Sequence, residues 1–198
     1  MFATERVSPA IKIAVEDINA ERKGFNLTVE YRNGRCDIAE SLNHAIEYYV
    51  NHEVDVFFGP CCDYPAAPIA RQTRFWNIPM LTAGTMAGEF GFDKQTLYPM
   101  LTRVGPNINS MASFVVNLLR EHDWRKAKIL YDSDAQGEIV SNLCHLVATG
   151  IYQTLKNTNN DNAEIYIKHD NFKLTKPFTD DEFREEIGHN YAGMRPNG

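Results

Sequence analysis

The sequence predicts an α/β fold built on doubly wound parallel sheets. Short apolar runs that suit buried strands alternate with segments whose apolar residues recur at helical spacing. Gly and Pro separate these segments, most clearly at Gly59-Pro60. The alternation restarts after Gly105-Pro106, which predicts a second lobe. The predicted domains are a first lobe at residues 1–104 and the opening part of a second lobe at residues 105–198.

Composition and charge exclude some classes of function. The chain has 198 residues, of which 43% are hydrophobic and 23% charged, as in ordinary globular proteins. No apolar run is long enough to span a bilayer, so we expect no membrane segment within the chain. The net charge of -6 argues against a nucleic-acid partner, because that binding neutralises phosphates with clustered Lys and Arg.

The first half of the chain predicts alternating helices and strands. Ser8 and Pro9 are typical of a helix start, and Ile11, Ala14 and Ile18 form its apolar face. The following elements are a strand at Leu27 to Tyr31, a helix at Ile38 to Val50, a strand at Val54 to Phe58 buried on both faces, a helix at Ala66 to Trp76, and a strand at Met80 to Ala83. Because the chain opens on a helix, we expect a partial chain whose first strand and any signal peptide precede Met1.

The second half continues the pattern. The predicted elements are an extended segment at Leu97 to Val104, a helix around Met111 to Leu119 capped by Asn107 or Asn109, a strand at Ala127 to Tyr131, a helix from about Gly137 to Ile151, and a strand at Glu164 to Lys168. The polar run Lys156 to Glu164 is typical of a surface loop.

Four stretches resemble one protein family. They are ERVSPAIKIAVEDIN at residues 5–19, GPCCDYPAAPIARQTRFWNIPMLTAGT at 59–85, LTRVGP at 101–106 and HDWRKAKILYDSD at 122–134. Together they resemble the extracellular ligand-binding region of natriuretic peptide receptors and related receptor guanylate cyclases. The resemblance covers most of Glu5 to about Gly150.

The resemblance implies a fold and a function. It implies the type I periplasmic-binding-protein-like arrangement of two α/β lobes, here without its first strand and without the rest of the second lobe. It further implies a peptide hormone as ligand, a homodimer in the parent receptor, and a place on the extracellular face of the plasma membrane. The parent would be a single-pass receptor, either cyclase-linked or of the clearance type. Any guanylate cyclase would lie elsewhere in that parent, so we expect this chain not to be an enzyme.

The cysteines permit two interpretations. Cys36 follows one predicted strand and Cys62 ends the next, so neighbouring parallel strands can bring them within disulfide reach. Four reduced cysteines are the alternative. The resemblance implies a disulfide at the positions of Cys36 and Cys62, but Cys61 departs from the family pattern, so Cys36 can pair with either neighbour. Cys144 matches a family cysteine whose partner would lie beyond Gly198, and we expect it to be unpaired.

The resemblance also implies binding residues. The turn at Gly59, Cys61 and Cys62 matches a chloride site, and strand-to-helix turns do present unpaired N–H groups. Capping of those groups by Asp63 or water is the alternative. Tyr64 and Arg71 match positions on the hormone-facing surface, although a packed Tyr64 and a solvated Arg71 explain these residues equally well. His145 and Leu146 stand where vertebrate members carry aromatic hormone contacts.

Other sites are judged from the residues alone. Asn26-Leu27-Thr28 is a glycosylation sequon. Adjacent Cys61 and Cys62 suit a zinc ion poorly, and no Cys or His group has metal-ligand spacing, so we expect no metal and no cofactor beyond chloride.

Two alternative functions remain at this stage. The first is a small-molecule or amino-acid binding module of the same fold, with Thr82, Gly84 and Thr85 in the cleft, although simple turn roles explain these residues as well. The second is a cytosolic α/β enzyme or regulatory domain, with Asp132 and Asp134 after a strand as its starting point, although such residues more often cap helices. The sequence contains no nucleophile elbow, phosphate loop or dinucleotide fingerprint.

Overall fold

The computed structural model describes residues 4–133, 135, 142–158, 165–171 and 179–191. The chain divides into two compact units. Unit 1 comprises Met1–Thr85 and Leu97–Val104, and unit 2 comprises Met86–Thr96 and Gly105–Gly198. Within the described residues, no helix is both long and apolar enough to cross a bilayer.

From α2 onward, helices and strands alternate along the described chain. The helices are α1 (Thr4–Glu21), α2 (Ile38–Val50), α3 (Asp63–Trp76), α4 (Glu89–Phe92), α5 (Ile108–Glu121), α6 (Leu143–Thr158) and α7 (Asp180–Tyr191). The strands are β1 (Phe57–Phe58), β2 (Met80–Thr82), β3 (Leu101–Arg103), β4 (Lys126–Tyr131) and β5 (Tyr166–Asn171).

Unit 1 is built on a parallel sheet in the order β1-β2-β3. Met80 at the centre of this sheet is paired with Phe57 on one side and Leu101 on the other. Met80 and Leu101 are buried, as are Ile69 and Ala70 of α3. The buried face of α3 and the apolar strand residues therefore form the core that fixes the strand ends.

Unit 2 contains the parallel pair β4-β5, with Lys126 in register with Tyr166. Its core brings together α5, α6 and the residue before β5, through Val116, Leu119, Leu155 and Ile165. The predicted α/β class with parallel sheets is confirmed by both units.

The segment Leu27 to Tyr31 differs from the prediction. It has no regular secondary structure, because a strand requires a hydrogen-bonded neighbour and β1 pairs with β2 alone among the described strands. At Leu27, the side chain of Asn19 makes the two backbone hydrogen bonds that a neighbouring strand would make. Its Nδ2 donates to Leu27 O at 2.9 Å, and its Oδ1 accepts from Leu27 N at 2.7 Å.

The burial predicted for α1 and β1 is also wrong. No residue of α1 is buried, and Pro9 lies inside the helix rather than at its start. Phe58 is 63% exposed, so β1 is not buried on both faces. The exposure of Phe58 follows from the position of β1 at the edge of the described sheet.

The remaining boundaries shift by a few residues. The predicted strand from Leu97 shortens to β3, because Pro99 has no N–H for a ladder bond. Asn107 caps α5 by accepting from Ser110 N at 3.0 Å. Helix α6 continues to Thr158 into the predicted loop, and β5 lies about two residues later than predicted. Helices α4 and α7 were not predicted, while Gly137 and Glu164 lie outside the described residues.

Candidate functional site

The carboxyl ends of the three strands of unit 1 meet at one edge of the sheet. Because β1, β2 and β3 are parallel, the turn Gly59 to Cys62, the loop Ala83 to Thr85 and the residue Val104 follow one another along this edge. Ligands of parallel α/β folds collect at such edges. We call this arrangement the strand-end site.

Thr82 connects the loops of the strand-end site. Its buried Oγ1 donates to Pro60 O at 2.8 Å and accepts from Gly84 N at 3.1 Å. Its carbonyl accepts from Val104 N at 2.9 Å. One threonine therefore joins the chain segments that follow all three strands.

Thr85 is held in place from two sides. Its N–H donates to Cys61 O at 3.2 Å, and its carbonyl accepts from Arg103 Nη1 at 3.1 Å. Its φ of 55° is in the left-handed region, which β-branched residues rarely adopt. Strain of this kind persists only where the surrounding contacts determine it, and such positions cluster at functional sites.

Gly84 allows the loop after β2 to approach the turn after β1. A Cβ atom at this position would overlap the carbonyl oxygen of Cys61. The close approach therefore requires glycine.

A disulfide joins Cys36 to Cys62, with their Cα atoms 5.7 Å apart, while Cys61 and Cys144 are free and half-buried. Cys36 precedes Asp37, the N-cap of α2, and Cys62 is the N-cap of α3. The disulfide therefore ties together the amino ends of two packed helices.

Asp63 and Arg103 form a pair of charges at the strand-end site, and Arg103 was not singled out from the sequence. Asp63 is the first residue of α3 and is only 7% exposed. Burial lowers the pKa of Arg103, and the nearby Asp63 carboxylate acts in the opposite direction. A sequence shows a charge but not its burial, so the sequence signal for this pair is only its position at the ends of β1 and β3.

At the predicted chloride residues, one backbone N–H is already used within the sheet. The N–H of Gly59 already donates to Leu81 O at 2.7 Å in the sheet. The carbonyls of Pro60 and Cys61 accept from Thr82 and Thr85. Cys61 and Cys62, which were predicted to bind chloride, are half-buried, and the next residue in the chain is the buried Asp63.

Tyr64 and Arg71 lie on one face of α3, two helical turns apart with Pro68 between them. Tyr64 is 40% exposed, and Arg71 is exposed with its Cζ 5.6 Å from the ring centre of buried Tyr98. We call Tyr64, Pro68 and Arg71 the α3 surface. It starts directly after the strand-end site.

The other predicted positions lie apart from one another in the chain. Asn26 is exposed in the segment between α1 and α2. His145 is exposed near the start of α6, and its Nδ1 lies 3.1 Å from the hydroxyl of Tyr131. Leu146 is half-buried. The enzyme alternative rested on Asp132 and Asp134. Asp132 is buried after β4, and Asp134 lies outside the described residues.

The rings of His169 and Tyr152 lie next to the pair formed by Tyr131 and His145. His169 of β5 lies 6.4 Å from Tyr131 and 4.4 Å from Tyr152, measured between ring centres. Nearby, Ser133 N donates to Asn171 Oδ1 at 3.2 Å. In the part of the chain that the structure describes, no three His, Cys, Asp or Glu side chains are grouped to hold a metal ion.

Solved structures show the class of fold. An ABC transporter substrate-binding protein from Desulfitobacterium hafniense superposes with a TM-score of 0.66 at 13% identity, covering 90% of this chain and 48% of that chain. A complex of such a protein with Leu gives a TM-score of 0.64 at 14% identity, covering 87% and 48%. The chain therefore has a periplasmic-binding-protein-like fold.

The sequence profile of the receptor family ligand binding region matches residues 6–158, and the chain belongs to this family. Atrial natriuretic peptide receptor 3 of Rattus norvegicus is 31% identical over 165 residues, which are 79% of this chain and 30% of that receptor. Atrial natriuretic peptide receptor 2 of Rattus norvegicus is 31% identical over 164 residues, or 80% and 15%. The chain thus spans less than a third of the length of these relatives. The predicted resemblance is confirmed, and the chain is a receptor ligand-binding region.

Proposed function

We propose that this chain binds a peptide hormone as part of a cell-surface receptor. The observation that carries the proposal is the α3 surface, where exposed Tyr64 and exposed Arg71 share one helix face. Tyr and Arg are enriched among the residues that contribute most to protein interfaces. The similarity to receptors named for atrial natriuretic peptide supports the same ligand class.

The α3 surface is suited to binding because its parts are held in place. The guanidinium of Arg71 rests on buried Tyr98, and the disulfide at Cys62 fixes the start of the helix. Side chains that are ordered before binding lose less conformational entropy when a ligand arrives. The hormone would therefore meet a preformed surface.

The proposal includes the setting of the parent receptor. The region would face the outside of the cell, where the disulfide is stable. The parent would cross the membrane once, and it would carry either a guanylate cyclase or, as a clearance receptor, none. The two relatives reported above support the receptor role without deciding between these forms.

The experiment is a binding titration on the chain secreted with a supplied signal peptide, using labelled atrial natriuretic peptide as the probe. Tyr64→Ala and Arg71→Gln should each weaken binding about tenfold or more. The matched controls are Tyr31→Ala, at a tyrosine that is 41% exposed, and Arg22→Gln, at an exposed arginine directly after α1. These controls should bind as the wild type does.

Two results would contradict the proposal. One is the absence of saturable peptide binding by a chain whose Cys36–Cys62 bond is verified by mass spectrometry. The other is saturable binding of free leucine without any binding of the peptide, which would favour the small-molecule alternative.

We further propose that the receptor is a homodimer. Val50 and Phe75 are 62% and 70% exposed at the carboxyl ends of α2 and α3, an arrangement that favours a protein contact. Val50→Asp should shift the chain from dimer to monomer in sedimentation equilibrium. Ile13→Asp, at an isoleucine that is 61% exposed on α1, should not. A wild-type chain that sediments as a monomer at every concentration would contradict the dimer.

A further inference from the structure

We propose that the buried carboxylate of Asp63, and not a free chloride ion, supplies the negative charge at the amino end of α3. The resemblance led us to expect chloride at this turn. The arrangement of the turn favours an anion that belongs to the chain itself.

The amino end of α3 requires a negative partner. The first N–H groups of a helix have no acceptor within the helix, and its dipole places positive charge there. Cys62, the N-cap residue, makes no side-chain capping bond. Asp63 is the acidic residue of the first turn, and it is buried.

Part of the turn is already bonded within unit 1. Gly59 N–H donates to Leu81 O. The oxygens of Pro60 and Cys61 accept from Thr82 and Thr85. A chloride ion at the turn would lie close to Asp63, the buried residue after Cys62, and like charges at short range repel each other.

Arg103 balances the charge of Asp63. Its guanidinium is partly buried beside the same edge of the sheet, donates to Thr85 O, and is attracted by Asp63. A buried charge is tolerated when an opposite charge and hydrogen bonds compensate it. The two side chains together make the strand-end site nearly neutral without any added ion.

The test compares chloride with gluconate at equal ionic strength, using the thermal unfolding of the full chain. The wild-type midpoint should agree within about 1 °C between the two salts, because an ion that does not bind the folded state does not stabilise it. In ³⁵Cl NMR, the wild type should leave the chloride line width unchanged. Neither measurement depends on the identity of the hormone, so failure here leaves the proposed function standing.

Variants of Asp63 test directly whether its carboxylate takes the place of a chloride ion. Asp63→Asn removes the resident charge, so chloride should now raise the midpoint by about 2 °C or more over gluconate. Asp63→Ser, which keeps a capping oxygen, serves the same purpose if the first variant does not fold. Asp55→Asn, at an exposed carboxylate in the same unit, is the matched control and should respond to salt as the wild type does.

A chloride-dependent midpoint or line broadening in the wild type would overturn the proposal, whatever the variants do. A folded Asp63→Asn or Asp63→Ser chain that ignores chloride would also contradict it, because removing the carboxylate would then have opened no anion site.

Discussion

The guanidinium carbon of Arg71 lies 5.6 Å from the ring centre of Tyr98, which is buried in unit 1. Arg74 makes a similar contact with Phe75, at 4.5 Å, but that ring is exposed. A cation over an aromatic face is worth more when the pair is shielded from water. Arg71 is therefore a surface residue that also contacts the core of unit 1.

Arg71→Ala should lower the free energy of unfolding by about 1 kcal/mol. Arg74→Ala should lower it by about half as much, because its ring partner is in water. Urea denaturation of the two variants measures the difference. Equal losses would show that the burial of Tyr98 adds nothing to the contact.

The disulfide should contribute substantially to stability. Replacing Cys36 by Ser should cost about 3 kcal/mol, because the bond closes a loop with a sequence separation of 26. Cys61→Ser should leave stability nearly unchanged, because that thiol is free. A mass-spectrometric disulfide map, combined with denaturation of both variants, checks this. A bond between Cys36 and Cys61, or a large loss in the Cys61 variant, would refute the pairing.

Gly84→Ala should destabilise unit 1 by about 2–3 kcal/mol, because the new methyl group would meet backbone that cannot swing away. Gly24→Ala is the control. It has a φ of 87° but nothing within 4 Å of the added atom, so only the conformational cost of about 1 kcal/mol remains. Calorimetric melting of both variants provides the comparison. A milder effect at Gly84 than at Gly24 would mean that the loop after β2 yields easily.

The start of α7 should weaken in acid. Thr179 donates its N–H and its hydroxyl to Glu182 Oε2, each at 2.9 Å, and these bonds lower the pKa of Glu182. Because the folded pKa is below the unfolded one, the stabilisation is complete above the unfolded pKa and is lost as the pH falls through the folded pKa. Thr179→Ala should raise the NMR titration midpoint of Glu182, while Thr179→Ser should preserve it. An unchanged midpoint in the alanine variant would exclude the cap.

The sequence was most informative where local patterns determine structure. The apolar run ending at Phe58, the helical spacing up to Trp76 and the strand from Met80 are all read within a few residues, and each has its counterpart in β1, α3 or β2. Pairing between distant segments is different. The strand predicted at Leu27 required a hydrogen-bonded neighbour, which no local pattern can supply and which the described strands do not provide.

The candidate site shows the same limit. The turn around Cys62 was predicted from glycine, proline and cysteine, whose roles at a strand end are local. The burial of Asp63 and the hydrogen bond of Arg103 to Thr85 depend on loops from different strands. Charge alone gave no sign of them. The chloride, sequon and hormone-contact assignments remain predictions.

Helices α2 and α3 are fastened at both ends. The disulfide joins their amino ends, and Tyr49 stacks on Trp76 with ring centres 4.6 Å apart at their carboxyl ends. Because α2 and α3 are joined at both ends, we expect a displacement of Tyr64 to move α2 together with α3. A ligand that binds to one of these helices would therefore shift both of them as one body.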